Sequence, residues 1–225
     1  MGRIRRAYYD IFSGVYDLII RLHSRDDGAS LRDFLVESSG LAQGNTHLDI
    51  CTGTGSVALR ASRAVGEQGG KVIAVDFSHG MLKKARQKVR DGGSGNVHLV
   101  EADVANLPFK EGTFDIVTCS HAMYELRASV RRKSLDEVKR TLKAGGSFVM
   151  MEHEVPKRLF IRLLYYVRLT SMGSLENRKF ARDEITELGK YFINISKSLS
   201  PTGKSKLISG VKGTDRPDVP LDRYC

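Results

Sequence analysis

Between residues 48 and 59 a short apolar run breaks into a glycine-rich turn and then a helical pattern: Leu48-Asp49-Ile50-Cys51-Thr52-Gly53-Thr54-Gly55-Ser56-Val57-Ala58-Leu59. Residues of this type and spacing cradle a nucleotide. Glycine tolerates positive φ and lets the backbone approach a ligand, and the free N–H groups of the following helix attract it. Asp49 adds a carboxylate suited to an ammonium group. A second apolar run, Lys71-Val72-Ile73-Ala74-Val75-Asp76, ends in an acid that can accept both hydroxyls of a ribose. A third, Val97-His98-Leu99-Val100-Glu101-Ala102-Asp103-Val104, carries an acid that can take an adenine amino group. Phe77, just after the ribose acid, is placed to stack on adenine or to pack in the core. Thr54 can offer its hydroxyl and amide to a ligand carboxylate, or serve the turn locally.

Two cofactor classes compete for these residues. Gly53-x-Gly55-x-x-Ala58 followed by Asp76 also satisfies the loose dinucleotide fingerprint, so NAD stands beside S-adenosylmethionine. Asp103 and Asp49 favour the second. Dinucleotide enzymes have no fixed requirement for the extra acid, and NAD has no ammonium for Asp49 to receive.

Further candidates lie later in the chain. His121 directly follows a strand and, titrating near neutral pH, is the candidate general base, or else a pocket lining. Glu152-His153-Glu154, with His121, raises the question of a metal. Neighbours on a strand point to opposite faces, so at most two of the three share a site and no metal is expected. Cys119 could attack a nucleobase, but no second cysteine motif or RNA-binding appendage accompanies it; a small buried residue is the expectation.

These groups need elements to position them. The spacing of Leu31, Phe34 and Leu35 predicts a helix over 28–38, stopped at Gly40. Strands over 46–50, 71–75, 96–100, 114–118 and 146–152 alternate with helices over 56–65, 78–90 and 130–142. Such alternation means βαβ units, hence an α/β fold with a parallel sheet and helices on both faces. Ligands of such sheets bind beyond the carboxyl ends of the strands, so Asp49, Asp76, Asp103 and Ser120 should converge. Residues 191–199 and 204–211, around Ser200-Pro201-Thr202-Gly203, read as an antiparallel hairpin that a plain dinucleotide fold lacks. Residues 214–225, with Pro217 and Pro220 among charges, read as a loose tail.

In order and spacing, these motifs resemble the class I S-adenosylmethionine-dependent methyltransferases, and more closely the ubiquinone/menaquinone-biosynthesis C-methyltransferase group. Tyr9-Asp10-Ile11-Phe12-Ser13-Gly14-Val15-Tyr16-Asp17 resembles the group's N-terminal aromatic-Asp repeat, and Asp49 to Gly55 its first motif. Val75-Asp76-Phe77-Ser78-His79-Gly80-Met81-Leu82 resembles the second, and Asp103-Val104 with Leu107-Pro108-Phe109 the third. Thr113 to Ser120 resembles the fourth, and Leu142 to Val149 the signature that follows. The resemblance runs over residues 9–155. Cys51 stands where many methyltransferases have glycine, and after Glu152 the group's long substrate-side insertion is replaced by residues 156–179.

The resemblance implies a Rossmann-like, seven-stranded, mostly parallel sheet in the order 3-2-1-4-5-7-6, with strand 7 antiparallel and an N-terminal helical lid. It implies one domain over 1–213, with lid helices over 1–40 and an acceptor-side helical insertion over 156–180. S-adenosylmethionine is the implied cofactor, held by Tyr16, Asp49, Cys51, Thr52, Gly53, Thr54, Gly55, Asp76, Phe77, Met81, Asp103, Val104 and Ser120. The implied reaction is methyl transfer to a small apolar or lipid-like acceptor, such as a quinol-type carbon or a phospholipid headgroup nitrogen. Other readings are a non-catalytic S-adenosylmethionine-binding module docking a partner through its basic surface, and an RNA methyltransferase. The Asn-Pro-Pro-Tyr-type motif of amino-directed base methyltransferases is absent, so nucleic acid is the weaker partner.

Composition sets the remaining bounds. The 225 residues suit one packed α/β domain with a small cap. Three scattered cysteines argue against a disulfide framework and for a reducing cytoplasm, and no apolar run approaches the ~18 residues of a spanning helix. The basic N-terminus leads into Tyr8-Tyr9-Asp10 rather than an apolar signal core. A formal charge of +10 favours an anionic partner. Lys83, Lys84, Arg86, Lys88 and Arg90 fall on one helix and Arg131, Arg132, Lys133, Lys139 and Arg140 on another, both read as solvated outer faces. Residues 156–172 carry an apolar stripe of Leu159, Phe160, Leu163, Leu164 and Val167 beside Arg158, Arg162, Tyr165 and Tyr166. Such a helix caps an acceptor pocket or rests peripherally on the inner membrane surface.

Overall fold

A computed structural model describes residues 30–155 and 175–214. The expected lid residue Tyr16, the stripe over 156–172 and the tail beyond 214 lie outside the described residues. In chain order the elements are α1 (Ser30–Ser38), β1 (Thr46–Ile50), α2 (Ser56–Val65), β2 (Lys71–Asp76), α3 (His79–Asp91), β3 (Val97–Glu101) and β4 (Phe114–Ser120). They continue with α4 (Ala128–Thr141), β5 (Leu142–His153), α5 (Leu175–Arg182), α6 (Glu184–Leu188), β6 (Ile193–Leu199) and β7 (Ser205–Val211).

The strands form one seven-stranded sheet in the order β3-β2-β1-β4-β5-β7-β6. β1 pairs in parallel with β2 and β4, β2 with β3, and β4 with β5, while β7 runs antiparallel to both β5 and β6. The order, the antiparallel seventh strand and the terminal hairpin are those expected. The alternation of side chains along each strand splits the core into two layers. Leu48, Ile50, Val117, Cys119, Phe148 and Met150 face α4, α5 and α6, packing with Leu135, Val138, Phe180 and Leu188. Val72, Ala74, Val149 and Met151 face α1 and α2, packing with Leu31, Leu35, Val57, Ala58, Ala61 and Val65. Each large apolar side chain buried this way contributes about 1.5 to 3 kcal/mol of transfer free energy.

Two expectations need correcting. β5 starts at Leu142, before the expected 146, because its first residues pair with Phe114 across an irregularity in the β4 register. The second basic cluster is not wholly a solvated face. Arg131 is buried, its guanidinium lying 4.2 Å from the Phe180 ring centroid and donating to the Leu126 carbonyl at 3.1 Å and Asn177 Oδ1 at 3.0 Å. Helix periodicity places Arg131 one turn before Leu135, on the buried side, and its Nη1 bond to Asn177 joins α4 to α5. Arg140 likewise reaches the carbonyls of Leu107 and Phe109 at 3.1 and 2.7 Å, tying α4 to the loop after β3.

Candidate functional site

Because all parallel strands end at the same edge, Asp49, Asp76 and Ser120 lie at neighbouring strand ends, and Asp103 follows β3 by two residues. Cys51 (φ 53°) and His121 (φ 53°) turn the chain away from β1 and β4 in the left-handed region. This conformation is costly for residues with a Cβ. It is the geometry that a glycine at Cys51 would adopt freely, so the departure from the usual motif leaves the turn in place.

The glycines of the loop have different surroundings. Gly53 (φ +56°) has no heavy atom within 4 Å of where a Cβ would stand, so open space adjoins the backbone. At Gly55 (φ +75°) a Cβ would lie 2.9 Å from Ala85 Cβ, so this glycine permits the start of α2 to pack against α3. Thr54 is buried, and its hydroxyl accepts from Lys88 Nζ at 2.8 Å, which also donates to Ser56 Oγ at 3.0 Å. Lys88 therefore braces the loop rather than facing only solvent.

Asp76 uses both oxygens to shape the site: Oδ2 accepts from the Gly53 amide at 2.8 Å and Oδ1 from the Ser78 amide at 2.9 Å. Ser78 caps α3, accepting from the Met81 amide at 3.2 Å, and the Met81 side chain is buried. Phe77 is half-buried beside these groups. Asp103 Oδ1 accepts from the Ala105 amide at 3.0 Å, and Val104 packs into the core.

Asp49 is 1% exposed. Its Oδ2 accepts from Thr52 Oγ1 at 2.5 Å and its Oδ1 from Thr118 Oγ1 at 2.8 Å. Burial pushes its carboxyl up to about 6, against these two hydrogen bonds and with a further upward push from Asp76. Near neutral pH it is a buried carboxylate poised to receive a cation.

At the end of β4, His121 Nδ1 lies 3.1 Å from Ser120 Oγ, and its ring centroid lies 4.3 Å from that of His153. Its Nε2 lies 3.4 Å from Ser205 Oγ on β7. Glu152 and His153 occupy successive positions of β5 and so point to opposite faces. Glu152 turns inward, accepting from the Tyr124 amide at 3.2 Å, and burial pushes its carboxyl up to about 8. Among the described residues no group of three His, Cys, Asp or Glu side chains could hold a metal ion. A hydrogen bond with Cys51, together with burial, pushes the Cys119 thiol upward, which does not suit a nucleophile.

Several residues of this region escaped sequence reasoning: His47, Thr118, and the buried Lys206 and Glu184, which pair at 2.8 Å, with Tyr124 Oη hydrogen-bonded to Glu184; Lys88 reads from the sequence only as part of a solvated face. The available signal was a polar residue in a buried strand run, as in Thr46-His47-Leu48-Asp49-Ile50. Its partner only appears once the strands are in register.

Residues 3–182 match the profile of the ubiE/COQ5 methyltransferase family. The chain is 34% identical over 165 residues to the ubiquinone/menaquinone biosynthesis C-methyltransferase UbiE of Edwardsiella ictaluri, covering 73% of this chain and 64% of that protein. To the protein of the same name from Azotobacter vinelandii it is 35% identical over 165 residues, covering 71% and 64%. The chain thus spans just under two thirds of the length of these curated relatives. Among solved structures, an S-adenosylmethionine-dependent methyltransferase from Aquifex aeolicus superposes with a TM-score of 0.64 at 22% identity, covering 85% of this chain and 97% of that one. Haemonchus contortus phosphoethanolamine N-methyltransferase 2, solved with S-adenosyl-L-methionine, gives a TM-score of 0.61 at 17% identity, covering 82% and 53%. At these identities the likeness is one of fold.

Proposed function

Because this chain belongs to the ubiE/COQ5 methyltransferase family, we propose that it uses S-adenosylmethionine to methylate a small apolar or lipid-like acceptor. The observation that carries this reading is the joint placement of Asp49 and Asp76 around the open backbone of Gly53. An ammonium suits the buried Asp49 carboxylate, and ribose hydroxyls suit Asp76 at the end of β2. Gly53, Thr52, Cys51 and Gly55 form the turn between them, Phe77, Met81, Asp103 and Val104 flank the adenine side, and Ser120 closes the β4 side. Thr54 contributes its amide, since its hydroxyl is engaged by Lys88. Tyr16 belongs to the lid in this reading.

When bound, the cofactor supplies an electrophilic methyl on a sulfonium. The protein's own part is to hold an acceptor in line with that methyl and to exclude water. His121, at the end of β4, is the group we assign to take a proton from the acceptor. A quinol-type carbon is the acceptor favoured by the names of the relatives; a phospholipid headgroup nitrogen is the alternative that the phosphoethanolamine enzyme brings. We place the protein in the cytoplasm, peripheral to the inner membrane surface, on the strength of its +10 charge and the arginine-flanked stripe over 156–172. Among the described residues, no helix is long and apolar enough to cross a membrane.

The test pairs thermal shift with transfer of a labelled methyl group from S-adenosylmethionine. S-adenosylhomocysteine should raise the melting temperature and NAD should not, and label should enter quinol-type compounds of a lipid extract. Stabilisation by NAD alone refutes the cofactor; cofactor binding with no labelled product from any extract refutes the reaction.

A further inference from the structure

His47 is a fully buried histidine inside the first strand, and nothing in the proposed reaction uses it. On β1 it lies two residues before Asp49 and therefore on the same face of the sheet. Thr118 stands level with Asp49 on β4. The three side chains form a line: His47 Nε2 is 2.9 Å from Thr118 Oγ1, which donates to Asp49 Oδ1 at 2.8 Å. His47 Nδ1 is buried with no hydrogen-bond partner.

We propose that His47 and Thr118 are positioning residues, forming a one-way hydrogen-bond relay that aims the Asp49 carboxylate at the cofactor's ammonium. This rests on the reading that Asp49 receives that ammonium. The direction follows from proton counting. Thr118 has a single hydroxyl proton, and that proton goes to whichever neighbour lacks one of its own. If His47 carried its proton on Nδ1, its bare Nε2 would compete for the Thr118 proton and draw it away from Asp49. With the proton on Nε2, His47 donates to Thr118, and the threonine proton turns to Asp49.

The surroundings hold His47 in that state. His47 stands in register with Val72 of β2, a member of the apolar layer on this side of the sheet, and its Nδ1 is buried without a partner, so a second proton would create a buried cation without an acceptor. Burial accordingly lowers its imidazole to about 3, so it stays neutral throughout the physiological range. Fixed dipoles aligned in a low-dielectric interior strengthen one another, and here they end on a carboxylate. Thr52 holds the other oxygen, so both Asp49 oxygens are fixed from the protein side.

Other titratable groups around Asp49 are Asp76 at the end of β2, which raises it, and Cys119, which Asp49 raises in turn. Cys51 follows it in the chain by two residues, and His121 stands at the end of the neighbouring strand. The relay and Thr52 are the groups that oppose burial.

The experiment is calorimetric titration of the full chain with S-adenosylhomocysteine between pH 5.5 and 8.5, comparing each variant with the wild type at every pH. The ratio cancels titration of the ligand itself. Wild-type affinity should fall as pH drops through about 6, the value of Asp49. Thr118→Val removes a charge-assisted donor and should move that midpoint up by about one to two pH units. The expected ratio is then about two- to tenfold weaker binding at pH 7, closing by pH 8.5. Thr118→Ser and His47→Gln keep the donors and should restore the wild-type profile, whereas His47→Leu should shift it in the same direction as Thr118→Val.

A merely structural role would weaken binding equally at all pH values, and a constant ratio for Thr118→Val overturns the relay while leaving the cofactor reading intact. Absence of wild-type binding at every pH overturns the cofactor reading, and the relay's purpose with it. If the valine and leucine variants do not fold, nitrogen-15 spectra of the wild type decide. A protonated Nε2 and bare Nδ1 on His47 from pH 5 to 8 support the relay, and the opposite tautomer refutes it.

Discussion

Replacing Gly55 by alanine separates two demands on the glycine-rich loop, close packing and access to a ligand. Its φ of +75° costs an alanine about 1 to 2 kcal/mol on backbone grounds. The new Cβ would also stand 2.9 Å from Ala85 Cβ, closer than two methyl groups can approach. Ala85 is fully buried on α3, so neither helix can yield without disturbing the layer beneath, an overpacking penalty of about 1 to 3 kcal/mol. The sum is ~2 to 5 kcal/mol, a large share of the ~5 to 15 kcal/mol that holds a typical domain folded. Gly53→Ala pays only that backbone cost of about 1 to 2 kcal/mol, because at φ +56° its Cβ would enter open space. Urea denaturation of both variants, with m unchanged, reads the difference directly. S-adenosylhomocysteine affinity should show the reverse order, with Gly53→Ala impaired at full fold content because its methyl group occupies the space beside the backbone. Equal destabilisation of the two variants, or a loss below about 1 kcal/mol for Gly55→Ala, would refute the packing argument.

Other perturbations probe the remaining groups. Asp76→Ala removes the acceptor of the Gly53 and Ser78 amides and the proposed ribose contact, and should weaken S-adenosylhomocysteine binding by about 1 to 3 kcal/mol in calorimetry. Glu152 is raised from an ordinary carboxylate value to about 8, so the folded state holds a proton that the unfolded state releases. Stability should therefore fall as pH rises from about 4.5 to 8, and Glu152→Gln should flatten that fall, standing above the wild type in denaturation at pH 8. Arg131→Met leaves the Leu126 carbonyl and Asn177 without their donor and should cost on the order of 2 to 4 kcal/mol in the same assay, with little change in the binding of a cofactor held at the strand ends.

Much of this protein could be read along the chain because the signals are local. Apolar runs such as Lys71 to Asp76 mark buried strands, and glycines and acids at their ends mark where ligands meet an α/β sheet. Order and spacing of those motifs, joined to family resemblance, carried the strand order and the antiparallel hairpin. What the chain could not reveal was which side of an element a polar residue faces and what stands opposite it. Arg131 looks like one more charge in a basic helix until α5 supplies Asn177 and Phe180. Gly53 and Gly55 look alike until Ala85 arrives beside only one of them. His47 and Thr118 are 71 residues apart, and only the parallel register of β1 with β4 aligns them under Asp49. Local pattern determines the elements because periodicity and turn chemistry act over a few residues. Pairing, burial and protonation depend on contacts between distant segments, and those exist only when the sheet has closed.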